Sequence, residues 1–275
     1  MNALAARRRH PAAIAVLLLL GLLVTGGAYS FFAPKDANAA PSLSADAVQD
    51  GRNLFVANCA SCHGLNAQGT KSGPSLVGVG AASVDFQVGT GRMPLAGPNI
   101  QAPANKVKFD ATQIEAMAAY VASLGAGPPV PEEKWTTTIT PSRTKESGQK
   151  LTNNQRIARG GEIFRVNCAM CHNFAGAGGA LTRGKYAPAL TDASGKVIYE
   201  AMVTGPQSMP VFNDRNITPE GKQEVISYLA AQQDATNVGG YSLGNLGPVS
   251  EGLFAWVFGL GILIAGAVWL GKKAA

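Results

Sequence analysis

Two short motifs hold all four cysteines of the chain and two of its three histidines. Each motif reads C-x-x-C-H, and the residues concerned are Cys59, Cys62, His63, Cys168, Cys171 and His172. In this pattern the two thiols can add to the vinyl groups of haem and form thioethers, and the adjacent histidine is then held against the iron as its proximal ligand. Two intervening residues let one tight turn of chain span both vinyl positions. The spacing therefore predicts two covalently bound haem c groups, one for each motif.

Three other chemistries use paired cysteines, and each leaves part of this pattern unexplained. A structural zinc ion can bind two C-x-x-C pairs, but 105 residues separate these pairs and zinc does not require a histidine directly after each. Thioredoxin-like redox pairs need a βαβ context, which the pattern lacks. Structural disulfides suit an exported chain, but they explain neither histidine. Covalent haem attachment is favoured over all three.

The iron of each haem needs a ligand on the face opposite the proximal histidine. The remaining histidine, His10, precedes the first apolar run and cannot reach either haem, so methionine is the expected ligand. Met170 lies inside an attachment loop, and Met117 lies on an apolar helical face as a core residue. Met93 and Met209 each have a glycine upstream and a proline directly after. A loop fixed by proline suits a side chain that must point at one iron, so Met93 and Met209 are the predicted axial ligands.

One alternative for the second haem stays open. Met202 lies 30 residues after His172, which is also the spacing between His63 and Met93. However, Met202 belongs to a run with a helical pattern, and no proline follows it. The loop context favours Met209, and Met202 is the alternative ligand.

The two motifs occupy corresponding places in an internal repeat. Residues 51–63 and 160–172 share Gly, Phe, Asn, both Cys, Ala and His at identical offsets. Further matches follow in the same order, pairing 73–76 with 187–190, 93–94 with 209–210, and Tyr120 with Tyr228. Each copy is about 85 residues long, which is the size of a small domain. The sequence therefore predicts two tandem domains of one fold.

Each copy closes with a helical pattern, which predicts a mainly α fold. The first pattern covers residues 110–124, where Thr112 and Glu115 are spaced as a capping box. The second pattern begins at Thr218, with Pro219 at the first helical position.

A proline follows each motif, Pro74 in the first copy and Pro188 in the second. These prolines can be simple turn residues. Alternatively, a backbone carbonyl beside each proline accepts the N–H of the proximal histidine and orients its ring. The second interpretation is favoured.

Two uncharged apolar runs flank the repeat. The first, at 12–33, is long enough to span a membrane, but the small residues at 37–39 resemble a signal-peptide cleavage site. Retention as an anchor and cleavage as a signal both stay open. The second run, at 253–271, fits one span and is predicted to be a permanent transmembrane helix. Its glycine and alanine residues at four-residue spacing form either an ordinary helix surface or a packing face for a membrane partner.

The positive charge of the chain lies beside these apolar runs. Residues 7–9 are arginines and residues 272–273 are lysines. Because basic residues flank the cytoplasmic side of spans, both termini are expected in the cytoplasm if the N-terminal run is retained, and residues 41–250 outside it. Without these five residues, 18 of the 23 basic residues remain, against 17 acidic residues, so the rest of the chain is almost neutral. No clustered basic face is left, which excludes a nucleic-acid binder.

These patterns divide the chain into six segments. Residues 126–150 are rich in proline and polar side chains and are expected to form an extended linker. The predicted segments are 1–40, signal or anchor; 41–125, first domain; 126–150, linker; 151–235, second domain; 236–252, linker; and 253–271, transmembrane helix.

Each repeat resembles a class I cytochrome c domain, over residues 45–125 and 152–232. The resemblance rests on a helix with Gly and Phe four apart, the C-x-x-C-H motif, a proline loop, a Met-Pro loop and a final helix with an aromatic residue. It implies that the Gly51/Phe55 and Gly160/Phe164 faces pack across the final helices.

The whole arrangement resembles the dihaem cytochrome c subunit of the actinobacterial menaquinol–cytochrome c reductase, the cytochrome bcc complex. This resemblance implies an electron-transfer subunit of an oxidoreductase (translocase) complex, with no substrate chemistry of its own. It also implies a cytochrome b subunit and a Rieske iron–sulfur subunit as partners. The two haems would pass electrons, first domain to second, to a terminal oxidase in a supercomplex.

Three other protein classes share some of these features. A dihaem subunit of a cbb-type oxidase is usually anchored only at its N-terminal side, so the run at 253–271 argues against it. A dihaem peroxidase needs an iron position that can open, and two Met-Pro loops argue against that. An independent membrane-anchored dihaem carrier stays open.

Overall fold

A computed structural model of the chain describes residues 11–32, 44–97, 99–145, 147–234 and 252–273. The chain forms two units, Met1–Leu43 and Ser44–Ala275. The first unit contributes helix α1, Pro11–Phe32. The second contains both repeats and the C-terminal apolar run. The described residues are mainly helical, as predicted.

The first repeat forms four helices: α2 (Ala45–Asn58), α3 (Ala60–His63), α4 (Ala81–Gly89) and α5 (Ala111–Ser123). Their apolar faces enclose one core, whose buried members include Phe55, Val84, Ile114, Met117 and Tyr120. The predicted core position of Met117 is confirmed, because only 2% of its surface is exposed.

The start of α5 differs from the prediction. The capping box consists of Asp110 and Gln113, not Thr112 and Glu115. The Gln113 N–H donates to Asp110 Oδ1 at 2.9 Å, and the Asp110 N–H donates to Gln113 Oε1 at 3.1 Å. Aspartate is at least as good an N-cap as threonine, so Asp110 caps a helix that begins at Ala111, and Thr112 lies within its first turn.

The second repeat has the same helical order: α7 (Asn153–Asn167), α8 (Ala169–His172), α9 (Gly195–Thr204) and α10 (Pro219–Asp234). A short antiparallel pair, β1 (Gly179–Ala180) and β2 (Tyr186–Ala187), follows α8. Thr218 caps α10 by accepting the Gly221 N–H at 3.2 Å, so the predicted start at Pro219 is confirmed.

In each repeat the first and last helices cross at a glycine. A Cβ atom on Gly51 would overlap the carbonyl oxygen of Ala116, and one on Gly160 would overlap that of Glu224. Glycine therefore lets the two backbones meet. Beside each crossing the predicted aromatic pair is in contact, with ring centroids 5.2 Å apart for Phe55–Tyr120 and 5.7 Å apart for Phe164–Tyr228.

The segment between the repeats is docked rather than extended, which corrects the prediction for this linker. It contains a short helix, α6 (Glu133–Thr136), and a buried residue, Ile139. The Ile139 N–H donates to Ser227 Oγ at 2.9 Å, and the Ala82 N–H donates to the Pro128 carbonyl at 3.1 Å. These hydrogen bonds tie the segment to both repeats, which local sequence composition does not reveal.

A buried ionisable cluster joins α4 of the first domain to α9 of the second. Glu200 is only 1% exposed and shares a hydrogen bond with Asp85, which also forms an ion pair with Lys196. Burial, and then the hydrogen bond and charge of Asp85, raise the pKa of Glu200 to about 9. Burial raises the pKa of Asp85 as well, but the hydrogen bonds from Glu200 and Lys196 outweigh this and lower it. At neutral pH a protonated Glu200 therefore donates to the Asp85 carboxylate.

Glu200→Gln should remove a pH dependence of stability. The folded-state pKa of Glu200 lies above its ordinary value of 4.5, so its stabilising effect is complete below about pH 4.5 and is lost as the pH rises towards 9. A glutamine amide can donate to Asp85 without titrating. We expect the variant to match the wild type near pH 5 and to exceed its free energy of unfolding near pH 9 by an amount on the order of several kcal/mol.

Denaturant unfolding at a series of pH values measures this difference. Glu162→Gln is the matched control, because Glu162 is exposed on α7 and lies outside the cluster. Parallel pH profiles for Glu200→Gln and the wild type would contradict a protonated Glu200.

The C-terminal run forms helix α11, Gly252–Lys273, which is long and apolar enough to cross a membrane. None of its most apolar window is buried against the rest of the protein. The linker predicted at 236–252 lies almost entirely outside the described residues, as do His10 and the cleavage-like residues 37–39.

Candidate functional site

The first attachment motif lies where α2 turns into α3. The Cys59 N–H donates to the Phe55 carbonyl at 2.7 Å, and the His63 N–H donates to the Cys59 carbonyl at 3.0 Å. Cys59 and Cys62 are therefore held on one helical turn, and His63 ends it. The His63 Nδ1–H donates to the Pro74 carbonyl at 2.8 Å.

The second motif repeats this geometry at the junction of α7 and α8. The Cys168 N–H donates to the Phe164 carbonyl at 2.8 Å, and the His172 N–H donates to the Cys168 carbonyl at 2.9 Å. The His172 Nδ1–H donates to the Pro188 carbonyl at 2.9 Å. The hydrogen bonds predicted for the two proline segments are thus confirmed.

These two hydrogen bonds select one tautomer of each imidazole. A carbonyl oxygen can only accept, so Nδ1 of His63 and of His172 carries the proton and Nε2 keeps its lone pair. Burial lowers the pKa of His172 by more than the Pro188 carbonyl raises it. A neutral, oriented imidazole is the form that binds a metal through Nε2.

The first cysteine of each pair is not activated as a thiolate. Burial, and then the neighbouring thiol, raise the pKa of Cys59 above its ordinary value and that of Cys168 to about 11. Redox-active cysteines instead have lowered pKa values. Within the described residues, the two pairs also do not meet in a cluster that could hold a metal ion. The geometry therefore favours two separate attachment sites over redox or zinc chemistry.

One cavity gathers the residues of the second domain that the sequence singled out. It is lined by Cys168, Cys171, His172, Met202 and Met209, and its apolar walls include Leu190, Ile198, Phe212 and Leu229. Two thiols, one imidazole nitrogen and thioether sulfurs within apolar walls fit a flat apolar macrocycle that carries iron.

Both candidate methionines of the second domain reach this cavity. Met202 is 2% exposed and lies in the last turn of α9, whereas Met209 lies in the loop after the left-handed Gly205. The structure thus brings together the two ligands that the sequence left as alternatives. Met209 stays the predicted ligand, because a loop residue can point its sulfur at the iron without moving a helix.

In the first domain, Met93 packs against the core cluster that contains Phe55 and Tyr120. Its N–H donates to the Gln87 carbonyl at 2.9 Å, which fixes the loop just after α4. Met170 is 88% exposed and borders the second cavity, and its exclusion as a ligand stays a prediction. The axial role of Met93 stays a prediction.

Sequence reasoning missed the contribution of the first domain to the second cavity. Phe86, Arg92, Gln101 and Ala102, all from the first domain, line the cavity that holds His172. Self-comparison could not find them, because these contacts connect the two repeats and have no counterpart inside either one.

Two family models match the chain, one in each repeat. The model described as "Cytochrome c" matches residues 48–125, and the model described as "Cytochrome C oxidase, cbb3-type, subunit III" matches residues 155–229. With the attachment motif in each repeat, these matches define a two-domain c-type cytochrome. Its C-x-x-C-H motifs fit two covalent haem c groups.

Curated relatives match almost the whole chain. Three of them are named "Cytochrome bc1 complex cytochrome c subunit". The one from Corynebacterium efficiens is 42% identical over 97% of this chain and 90% of the relative. The one from Mycobacterium tuberculosis is 43% identical over 94% and 90%, and the one from Corynebacterium diphtheriae is 40% identical over 97% and 95%.

The chain belongs to the family of cytochrome c subunits of the cytochrome bc1 complex, which confirms the resemblance seen in the sequence. It is a haem electron carrier of the respiratory bc complex and hence a subunit of an oxidoreductase. The cbb3-type match covers the second domain alone and does not extend to the rest of the chain.

Proposed function

We propose that the chain carries electrons from a Rieske iron–sulfur centre through two haems in series to a terminal oxidase, within a menaquinol–cytochrome c reductase that acts as a translocase. The first haem is the entry and the second the exit. One observation carries the proposal: residues of the first domain form part of the wall of the second cavity, which we call the shared wall. One of them, Arg92, directly precedes Met93, the predicted ligand of the first iron. Electron transfer weakens steeply with distance, so adjacent haem sites favour a series path.

Each haem in this proposal has its own set of attachment and axial residues. The first is bound through Cys59 and Cys62, with His63 and Met93 as axial ligands. The second is bound through Cys168 and Cys171, with His172 and Met209 as axial ligands. A methionine–histidine pair raises the potential of a haem, which suits carriers near the oxidising end of a respiratory chain.

We place the haem domains on the extracytoplasmic side of the cell membrane, with both termini in the cytoplasm if the N-terminal segment is retained. The lysines at 272–273 support this orientation. A cytochrome b subunit and a Rieske subunit are the proposed partners, with the oxidase held in a supercomplex. Purification of the chain without these subunits would favour an independent membrane-anchored carrier instead.

Met93→Leu tests the series path. Loss of the sulfur should remove the proposed axial ligand of the first iron. Reduction of the second haem by quinol should then be slower by tenfold or more in stopped-flow spectra. Artificial donors should still reduce the second haem. The basis is that leucine fills the space of methionine but cannot bind iron.

Met117→Leu is the matched control, because it makes the same substitution in the same domain at a core position. It should preserve the wild-type rate. Unchanged quinol reduction of the second haem in Met93→Leu would show that electrons reach it without the first haem.

A further inference from the structure

The cavity of the second domain has few charged side chains with which to bind the two carboxylates of a haem. Haem carries two propionate carboxylates, and buried carboxylates need positive or hydrogen-bonding partners. Among the described residues that line this cavity, Arg92 alone carries a full charge. Arg92 comes from the first domain, three residues after the end of α4.

Arg92 lies in the wall without a protein counter-charge. Its guanidinium carbon lies 4.8 Å from the centre of the Phe86 ring, and its side chain is half-buried. Within the described part of the chain, the guanidinium has neither a hydrogen-bond acceptor nor an acidic partner. Burial lowers the pKa of Arg92, yet a guanidinium stays charged at neutral pH. A half-buried cation without a partner is costly unless a further group supplies negative charge.

Hydrogen bonds between the domains fix this wall in place. Gln101 Nε2 donates to the Tyr186 carbonyl at 2.8 Å, and the Tyr186 N–H donates to Gln101 Oε1 at 3.0 Å. The Ala102 N–H donates to Gln207 Oε1 at 3.3 Å. Tyr186 belongs to β2, and Gln207 lies two residues before Met209. The first domain thus contacts both the strand and the methionine loop that border the second cavity.

We infer that Arg92 of the first domain completes the haem site of the second domain by supplying positive charge to the carboxylates of that haem. The guanidinium packs over the ring of Phe86, and the hydrogen bonds of Gln101 and Ala102 fix the position of this wall relative to the second domain. This inference depends on a haem in the second domain, and it does not depend on the donor or acceptor of the proposed function.

Redox titration of the purified full-length chain tests the inference. Reduction removes one positive charge from the haem, so loss of a nearby cation favours the oxidised form. Arg92→Gln should lower one of the two midpoint potentials by about 59 mV. For a one-electron couple this corresponds to about a tenfold decrease in the equilibrium constant for reduction. Arg92→Lys keeps the charge and should stay close to the wild type.

Arg165→Gln is the matched control, because Arg165 is an exposed arginine of the second domain outside the cavity lining. It should shift neither potential appreciably. Haem content and the unfolding midpoint are measured for every variant, so that a folding defect is recognised. Unchanged potentials in Arg92→Gln, or an equal fall in Arg92→Lys, would overturn the inference.

A second substitution assigns the shift to one haem. Met209→His replaces a methionine–histidine pair by a bis-histidine pair and should lower the potential of the second haem alone. In this background the titration wave at the lower potential belongs to the second haem, and Arg92→Gln should shift that wave. A shift of the wave at the higher potential alone would also overturn the inference. If Met209→His fails to separate the waves, the axial-ligand proposal is contradicted instead, and the assignment is made in the Cys168→Ser and Cys171→Ser double variant, which should keep only the first haem. A shift caused by Arg92→Gln in that background would overturn the inference.

Discussion

The double substitution Cys168→Ser and Cys171→Ser should leave one covalent haem on a chain that normally carries two. Serine hydroxyls do not form thioethers with the vinyl groups, so the second haem loses both of its covalent bonds. The first motif has its own helical turn and its own proline carbonyl, and it should keep its haem. Loss of the second haem should also stop electron transfer beyond the first domain.

The measurement is the pyridine haemochrome per polypeptide, together with the haem stain of denatured protein, since thioether bonds survive denaturation. Met170→Ala is the control, because it changes the same attachment loop at an exposed side chain and leaves both thiols in place. It should retain two haems. Two haems on the double variant, or haem that acid acetone extracts from the wild type, would refute covalent attachment through these cysteines.

Local patterns in the sequence were enough to predict the fold of each repeat. Gly51 and Phe55 are four residues apart, and a helix places such residues on one face. The structure confirms that this face crosses α5, with Phe55 against Tyr120. Pro188 and its carbonyl could be anticipated from the order of the repeat, although the spacing differs: Pro188 lies 16 residues after His172, and Pro74 lies 11 residues after His63.

The prediction was wrong where two local solutions compete. Asp110 and Thr112 are both capable N-caps, and both have a suitable residue three positions later. The helical pattern was predicted to begin at residue 110, but only the structure shows that Asp110, and not Thr112, is the N-cap. The choice of cap depends on where the backbone of α5 packs, which the residues of this turn do not encode alone.

Contacts between the repeats could not be predicted at all. Glu200 and Asp85 are 115 positions apart, and neither breaks the helical pattern of its own element. Arg92 directly precedes Met93, and nothing in its local sequence indicates a contact with the second domain. A periodicity reports which face of a helix is buried, but not which partner covers it. The shared wall of the second cavity therefore emerges only from the folded chain.

Truncation after Gly247 removes α11 and should strongly reduce quinol-driven respiration while leaving a spectrally normal dihaem protein. Apart from the five basic residues at its ends, the chain is almost neutral, so it has little long-range electrostatic steering towards charged redox partners. A membrane anchor can replace steering, because it keeps the haem domains at a high effective concentration near fixed partners. For the same reason, electron transfer from the intact chain to the oxidase should depend only weakly on salt.

Oxygen consumption driven by a quinol, in membranes that carry the truncated chain, is the decisive measurement. We expect a fall of tenfold or more, since tethering typically contributes factors of about 10² to 10⁴. Truncation after Lys273 is the control, because it shortens the C-terminus and leaves α11 intact. Whether the shorter chain leaves the membrane also reports whether the N-terminal apolar segment has been cleaved. Respiration near the wild-type rate would mean that α11 is dispensable for partner contact, and the independent-carrier function would then be favoured over a fixed subunit.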